Sequence, residues 1–142
     1  MKVIAIGDLH DSPHIKDKSR FRWIGKHIAK TKPAYVVQIG DFLTLDSCTY
    51  YIPDDTFTAR IEKPTFIKDM QSFDEAMEEF DYGLNKCKIK KYYTLGNHEK
   101  RMWRYEDKNP TFYGMCQKEF YGICKKYKWD VIPWGEYLML GG

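Results

Sequence analysis

Apolar residues fall along this chain in two rhythms: short unbroken runs, and longer stretches at helical spacing. Val3-Ile4-Ala5-Ile6 is an unbroken run, as a strand of a parallel sheet covered on both faces requires. From about Ser19 to Thr31, Phe21, Ile24, Ile28 and Ala29 recur at helical spacing, and Pro33 blocks continuation. Tyr35-Val36-Val37-Gln38-Ile39 is a second strand-like run. Strand, helix and strand in that order predict a βαβ unit with a right-handed crossover.

Between Phe42 and about Pro64 the periodicity is lost, and a loop of that length in a compact domain points to function. A helix is predicted from about Thr65 or Asp69 to Cys87, with Phe66, Met70, Phe73, Met77, Phe80 and Leu84 as its core face. Tyr92-Tyr93-Thr94-Leu95 reads as a third strand. After a polar loop the pattern predicts a helix over Thr111 to Tyr127, a short strand over Trp129 to Ile132 and another over Tyr137 to Leu140. The expected class is α/β, a βαβ-based, mostly parallel sheet with flanking helices in a single domain over residues 1–142. No internal repeat or low-complexity linker divides it.

Each of the three strand-like runs ends in a turn rich in metal-ligand chemistry: Gly7-Asp8-Leu9-His10, Gly40-Asp41 and Gly96-Asn97-His98-Glu99. Open α/β sheets bind ligands at the carboxyl ends of their strands, and oxygen and nitrogen donors gathered there suit divalent metals. Asp8 and His10 pair a hard oxygen with a borderline nitrogen; an incidental D-x-H in a solvated loop is the plain alternative. Asp41 is weak by itself, but beside Asp8 its carboxylate can bridge two metal positions. Asn97 offers a neutral carbonyl oxygen, which leaves positive charge to face phosphate. His98 can donate a proton to a leaving alkoxide, and Glu99 can hold that imidazole in orientation. A helix cap by Asn97 explains one residue of the four. Arg101 either contacts a substrate phosphate or pairs with Glu106 or Asp107 at the surface.

Composition narrows this only a little. A chain of 142 residues with 43% hydrophobic and 30% charged residues is ordinary for one soluble domain. Such a chain buries roughly 68–70% of its unfolded surface. The net charge of +3 admits a phosphate-bearing substrate without indicating nucleic acid. The basic clusters over 86–91 and 125–128 read as solvated helix ends. Cys48, Cys87, Cys116 and Cys124 form no C-x-x-C pair, the amino terminus is too briefly apolar for a signal peptide, and no segment is apolar enough for a membrane span. Reduced thiols in a cytoplasmic protein are the expectation.

The combination of GD-x-H, GD and GNHE at successive strand ends resembles the calcineurin-like metallophosphoesterase superfamily over about residues 1–105. The stretch from Gly40-Asp41-Phe42 through Ala59-Arg60, Asp69 and Ala76-Met77 to Gly96-Asn97-His98-Glu99-Lys100-Arg101 is similar to its small phage and prophage members. The resemblance implies a four-layer α/β/β/α sandwich, of which this chain supplies the first half. It also implies up to two divalent ions, Mn, Fe, Zn, Ni or Mg, and a phosphate-ester substrate. Carried over, Asp8 and His10 serve one metal, Asp41 bridges, Asn97 serves the second, His98 is the general acid, and Glu99 orients.

Two departures from the superfamily pattern stand out. Many members read G-D-x-x-D where this chain has Gly40-Asp41-Phe42-Leu43-Thr44, and Thr44 lacks the carboxylate. The superfamily also adds a histidine and a Gly-His-x-His motif from its second sheet, whereas the histidines here are His10, His14, His27 and His98 alone. His14 sits in the loop after Asp8-Leu9-His10 and His27 in the first helix, where packing is the simpler role. The expectation is therefore a domain lacking the C-terminal histidine-bearing part. Two functions follow from it: metal-dependent hydrolysis of phosphate mono- or diesters, or a metal- and phosphate-binding module impaired in catalysis. The apolar strand at Leu138-Met139-Leu140 also allows oligomerisation through an unpaired edge.

Overall fold

A computed structural model describes residues 1–50 and 63–141. Most of the long loop predicted between Phe42 and Pro64 lies outside the described residues. Four strands, β1 (Val3–Ile6), β2 (Tyr35–Gln38), β3 (Lys90–Thr94) and β4 (Trp129–Ile132), form one all-parallel sheet in the order β1-β2-β3-β4. The register aligns Ile6, Gln38, Tyr93 and Val131 across the sheet. The carboxyl ends of β1, β2 and β3 therefore finish side by side, and the three ligand-bearing turns leave the sheet together.

Helix α1 (Ser19–Thr31) links β1 to β2, and α2 (Phe66–Leu84) leads from the long loop toward β3. The two helices pack together, with Arg22 forming a bidentate pair to Glu79 at 2.5 and 2.8 Å. Thr65 caps α2 through its hydroxyl, which accepts from Lys68 N–H. The helix ends at Leu84 rather than at Cys87, because Asn85 and Lys86 both adopt left-handed backbone.

Helix α3 (Lys100–Lys108) occupies what the pattern predicts as a polar loop. A 3-10 turn over Pro110–Phe112 follows, so α4 (Met115–Lys126) begins four residues later than periodicity suggests. Its exposed N–H groups are met by one buried side chain. Glu106 accepts from Gly114, Cys116 and Gln117 N–H and from the Gln117 amide.

The core lies on one face of the sheet. Phe42 stacks on Phe21 and meets Phe73 and Tyr93, while Phe120 packs against Phe73 and Tyr93. The opposite face is not covered in the same way: Val3 and Ala5 are exposed, and Ile39, just past β2, is 58% exposed. The expectation of continuous burial over Val3–Ile6 is thus corrected, since β1 is exposed at Val3 and Ala5, whereas β2 is buried at Val36, Val37 and Gln38 in succession. A parallel sheet dressed with helices on one side matches the amino-terminal half of a metallophosphoesterase sandwich. The strand expected at Tyr137 to Leu140 does not form: that segment pairs with no strand among the described residues, and Tyr137 and Met139 stand in solvent. No helix among the described residues is long and apolar enough to cross a membrane.

Candidate metal centre

The turns after β1 and β2 are laced to each other by their main chains. His10 N–H donates to Asp41 C=O at 3.0 Å, and Asp11 N–H to Phe42 C=O at 2.6 Å. A short parallel bridge pairs Asp11 with Leu43. Asp8, His10 and Asp41 all carry positive φ (51°, 46° and 53°), a region that non-glycine residues avoid. Such strain costs about 1–3 kcal/mol per residue and persists only where surrounding contacts impose it. Here the lacing imposes it and turns the side chains of His10 and Asp41 together.

Close approach to the third turn depends on two glycines. A Cβ on Gly40 would press on the Gly96 backbone, and one on Gly96 would strike Asp41 Oδ1 and its amide nitrogen. With both side chains absent, Asp41 sits directly against the third turn and its Oδ1 accepts from His98 N–H at 2.9 Å.

The outcome is a cluster. One ligand atom each from His10, Asp41 and His98 lies within 4.8 Å of the others, and all three residues are partly open to solvent. The His10 and His98 rings meet edge to face, with centroids 4.7 Å apart. Two imidazoles and a carboxylate at that separation are a donor set that fits a divalent transition ion. The sequence model of the calcineurin-like phosphoesterases matches residues 1–142. The chain belongs to that family. No curated protein and no solved structure matches it.

The other ligand candidates of this calcineurin-like phosphoesterase stand further out. Asp8 Oδ1 lies 3.9 Å from His10 Nε2, yet its side chain is 80% exposed and falls outside the tight cluster. Asn97 is exposed at the mouth of the same turn. His14 belongs to a separate groove with Lys16, Lys18, Lys63 and Lys68, and His27 stacks on Trp23 at 5.6 Å. Neither joins the centre.

Glu99 does not orient the imidazole as expected. Its fully buried carboxylate accepts from Asp41 N–H, Gly96 N–H, Leu43 N–H and Tyr93 O–H, at 2.8 to 3.1 Å. Three backbone donors from two loops and a buried phenol use its acceptor capacity and direct it away from His98. Tyr93, sealed from solvent beneath it, has its phenol pushed well above the usual range by burial and by the adjacent Glu99 charge.

His98 Nδ1 instead meets Thr44 C=O at 2.9 Å. A carbonyl only accepts, so Nδ1 carries a proton and Nε2 is left for the site. The same carbonyl accepts from Arg101 Nη1 at 2.8 Å, which brings the guanidinium beside the imidazole. Arg101 also pairs with Asp46 at 3.5 Å, and not with the expected Glu106 or Asp107. Thr44 thus supports His98 with its main chain where its side chain has no carboxylate to offer. Sequence carries no signal for a backbone contact of this kind. A second feature it hides is the buried pair Lys18–Asp11 at 2.6 Å, shared with Ser72, which pins the loop after β1 to α2.

Proposed function

We propose that this chain hydrolyses a phosphate mono- or diester, using a divalent ion held by His10 and Asp41 with Asp8 and Asn97 beside them. His98 is the general acid. The observation that carries this reading is the convergence of His10, Asp41 and His98 at the carboxyl end of the sheet. When bound, an ion such as Mn, Fe, Zn, Ni or Mg supplies Lewis acidity toward phosphoryl oxygens and acidifies water near neutrality.

The remaining work belongs to the chain's own groups. Thr44 C=O fixes the His98 ring through Nδ1–H, so in the imidazolium form Nε2–H points to the oxygen leaving phosphorus and protonates it. Arg101 keeps further N–H groups beyond the one on Thr44 and binds a non-bridging phosphoryl oxygen. Glu99 touches no reacting atom and acts as a positioning residue for Asp41. Four unpaired thiols support a cytoplasmic setting.

A second reading is a module that binds metal and phosphate without efficient turnover. The exposure of Asp8 and Asn97, with Asp8 outside the cluster, favours it. Assay of bis-p-nitrophenyl phosphate with Mn²⁺ separates the two. Hydrolysis that needs Mn²⁺ and falls about 10²–10⁴-fold in His98→Ala supports the enzyme. Metal binding without hydrolysis supports the module.

A further inference from the structure

Helix α3 starts at the candidate centre and carries positive charge away from it. Arg101, Arg104 and Lys108 follow an i, i+3, i+7 spacing that places them on one helical face, spanning about 10 Å of axis. With Cys48, Thr49 and Tyr50 they line a concavity of about 320 Å³, and no carboxylate side chain among the described residues lines it. Arg104 and Lys108 are exposed and meet no carboxylate among the described residues. Lys108 is held instead by an aromatic ring: its Nζ lies 4.1 Å above Tyr50, whose hydroxyl accepts from Asn109 Nδ2 at 2.9 Å. A cation positioned by a neutral ring keeps its charge for a ligand.

We propose that this stripe binds phosphates flanking the one at His98, so that the substrate carries several phosphates in a row. That chemistry is shared by a single nucleic-acid strand and by a polyphosphate. The proposal rests on the hydrolytic reading for where the reacting phosphate sits. The fork of Arg101 takes the phosphate nearest the imidazole, and Arg104 and Lys108 take those one and two helical turns further along. The mild net charge of +3 hides the stripe, because the excess is local.

The test is equilibrium binding without turnover, in EDTA, read by anisotropy of a labelled single-stranded oligonucleotide across 50 to 200 mM salt, with inorganic tripolyphosphate as competitor. The wild type is expected to bind, and Arg104→Glu/Lys108→Glu to bind at least tenfold more weakly. The slope of log affinity against log salt should fall by about 1.4 in that variant, two contacts at about 0.7 each. The neutral Arg104→Gln/Lys108→Gln should lie between, and Lys26→Glu/Lys30→Glu on α1, with the same change in net charge, should lose less than threefold. Competition by tripolyphosphate at concentrations matching the strand's phosphates assigns the site to phosphate repeats in general; its failure assigns it to the nucleic-acid strand. Equal losses in the two charge-reversed variants, or a wild type that binds neither ligand, would overturn the proposal. An inactive chain that still binds through the stripe contradicts hydrolysis alone, and an active chain whose stripe variants bind normally contradicts the stripe alone.

Discussion

One carboxylate oxygen, Glu99 Oε2, accepts from Asp41 N–H at 2.9 Å and from Gly96 N–H at 2.8 Å. The residue that closes the GNHE turn thereby clamps the Asp41 loop after β2 to the loop after β3. Removing it leaves the buried Leu43 N–H, the part-buried Asp41 and Gly96 N–H groups and a buried phenol without their acceptor. Glu99→Ala is expected to cost about 3 kcal/mol in urea unfolding. Glu99→Gln should recover little, since its amide NH₂ points donors at donors. A Glu99→Gln chain as stable as the wild type would refute the clamp.

Gly96→Ala tests the same junction from the opposite side. The added methyl meets Asp41 backbone and carboxylate atoms, which cannot swing away as a flexible side-chain tip does. Destabilisation of about 1–3 kcal/mol is expected, together with weaker binding of Mn²⁺ as Asp41 is displaced. Unchanged Mn²⁺ affinity in a folded Gly96→Ala chain would contradict the placement of Asp41.

Glu106 gives a pH signature. Burial pushes its carboxyl up, but hydrogen bonds from Gly114, Gln117 and Cys116 outweigh that effect and hold it below the usual carboxylate range. A depressed value in the folded state contributes stability above the unfolded value of about 4.3, which is lost as pH falls through the folded value. Glu106→Gln should be less stable by about 2 kcal/mol at pH 7. The gap should narrow on acidification below about pH 4.3, and a gap that stays constant down to pH 3 would rule the assignment out.

The thiols should separate by reactivity. Burial pushes Cys48 up to about 11 and Cys116 up to about 12, and raises Cys124 further. Cys87 is the one thiol with partial exposure. An aromatic disulfide reagent at pH 7.5 should modify Cys87 rapidly and the other three only with global unfolding. Rapid labelling of two or more thiols in the folded chain would contradict the packing of Cys48 and Cys116.

Strand ends were the readable part of this sequence, because a parallel sheet delivers its turns to one edge whatever follows them. Residue types at those ends point to ligands at Asp8, His10, Asp41 and Asn97 and an acid at His98, and of these His10, Asp41 and His98 lie together. Helix α3 was hidden for a physical reason: its buried positions are Met102 and Glu106, and a buried carboxylate does not register as part of an apolar face. The run Tyr137 to Leu140 has strand-like residues but joins neither edge of the four-stranded sheet. The partner of His98 is unreadable because Thr44 acts through its carbonyl, and the role of Glu99 is hidden because two of its four partners are main-chain donors 56 and 58 positions away.

The most direct test is calorimetric titration of Mn²⁺ into the wild type and Asp41→Asn at pH 7.5. Asp41 lies at the junction of all three turns, so the account predicts one saturable ion per chain in the wild type and at least tenfold weaker binding in the variant. No saturable binding in the wild type, or the same affinity in both, would contradict it.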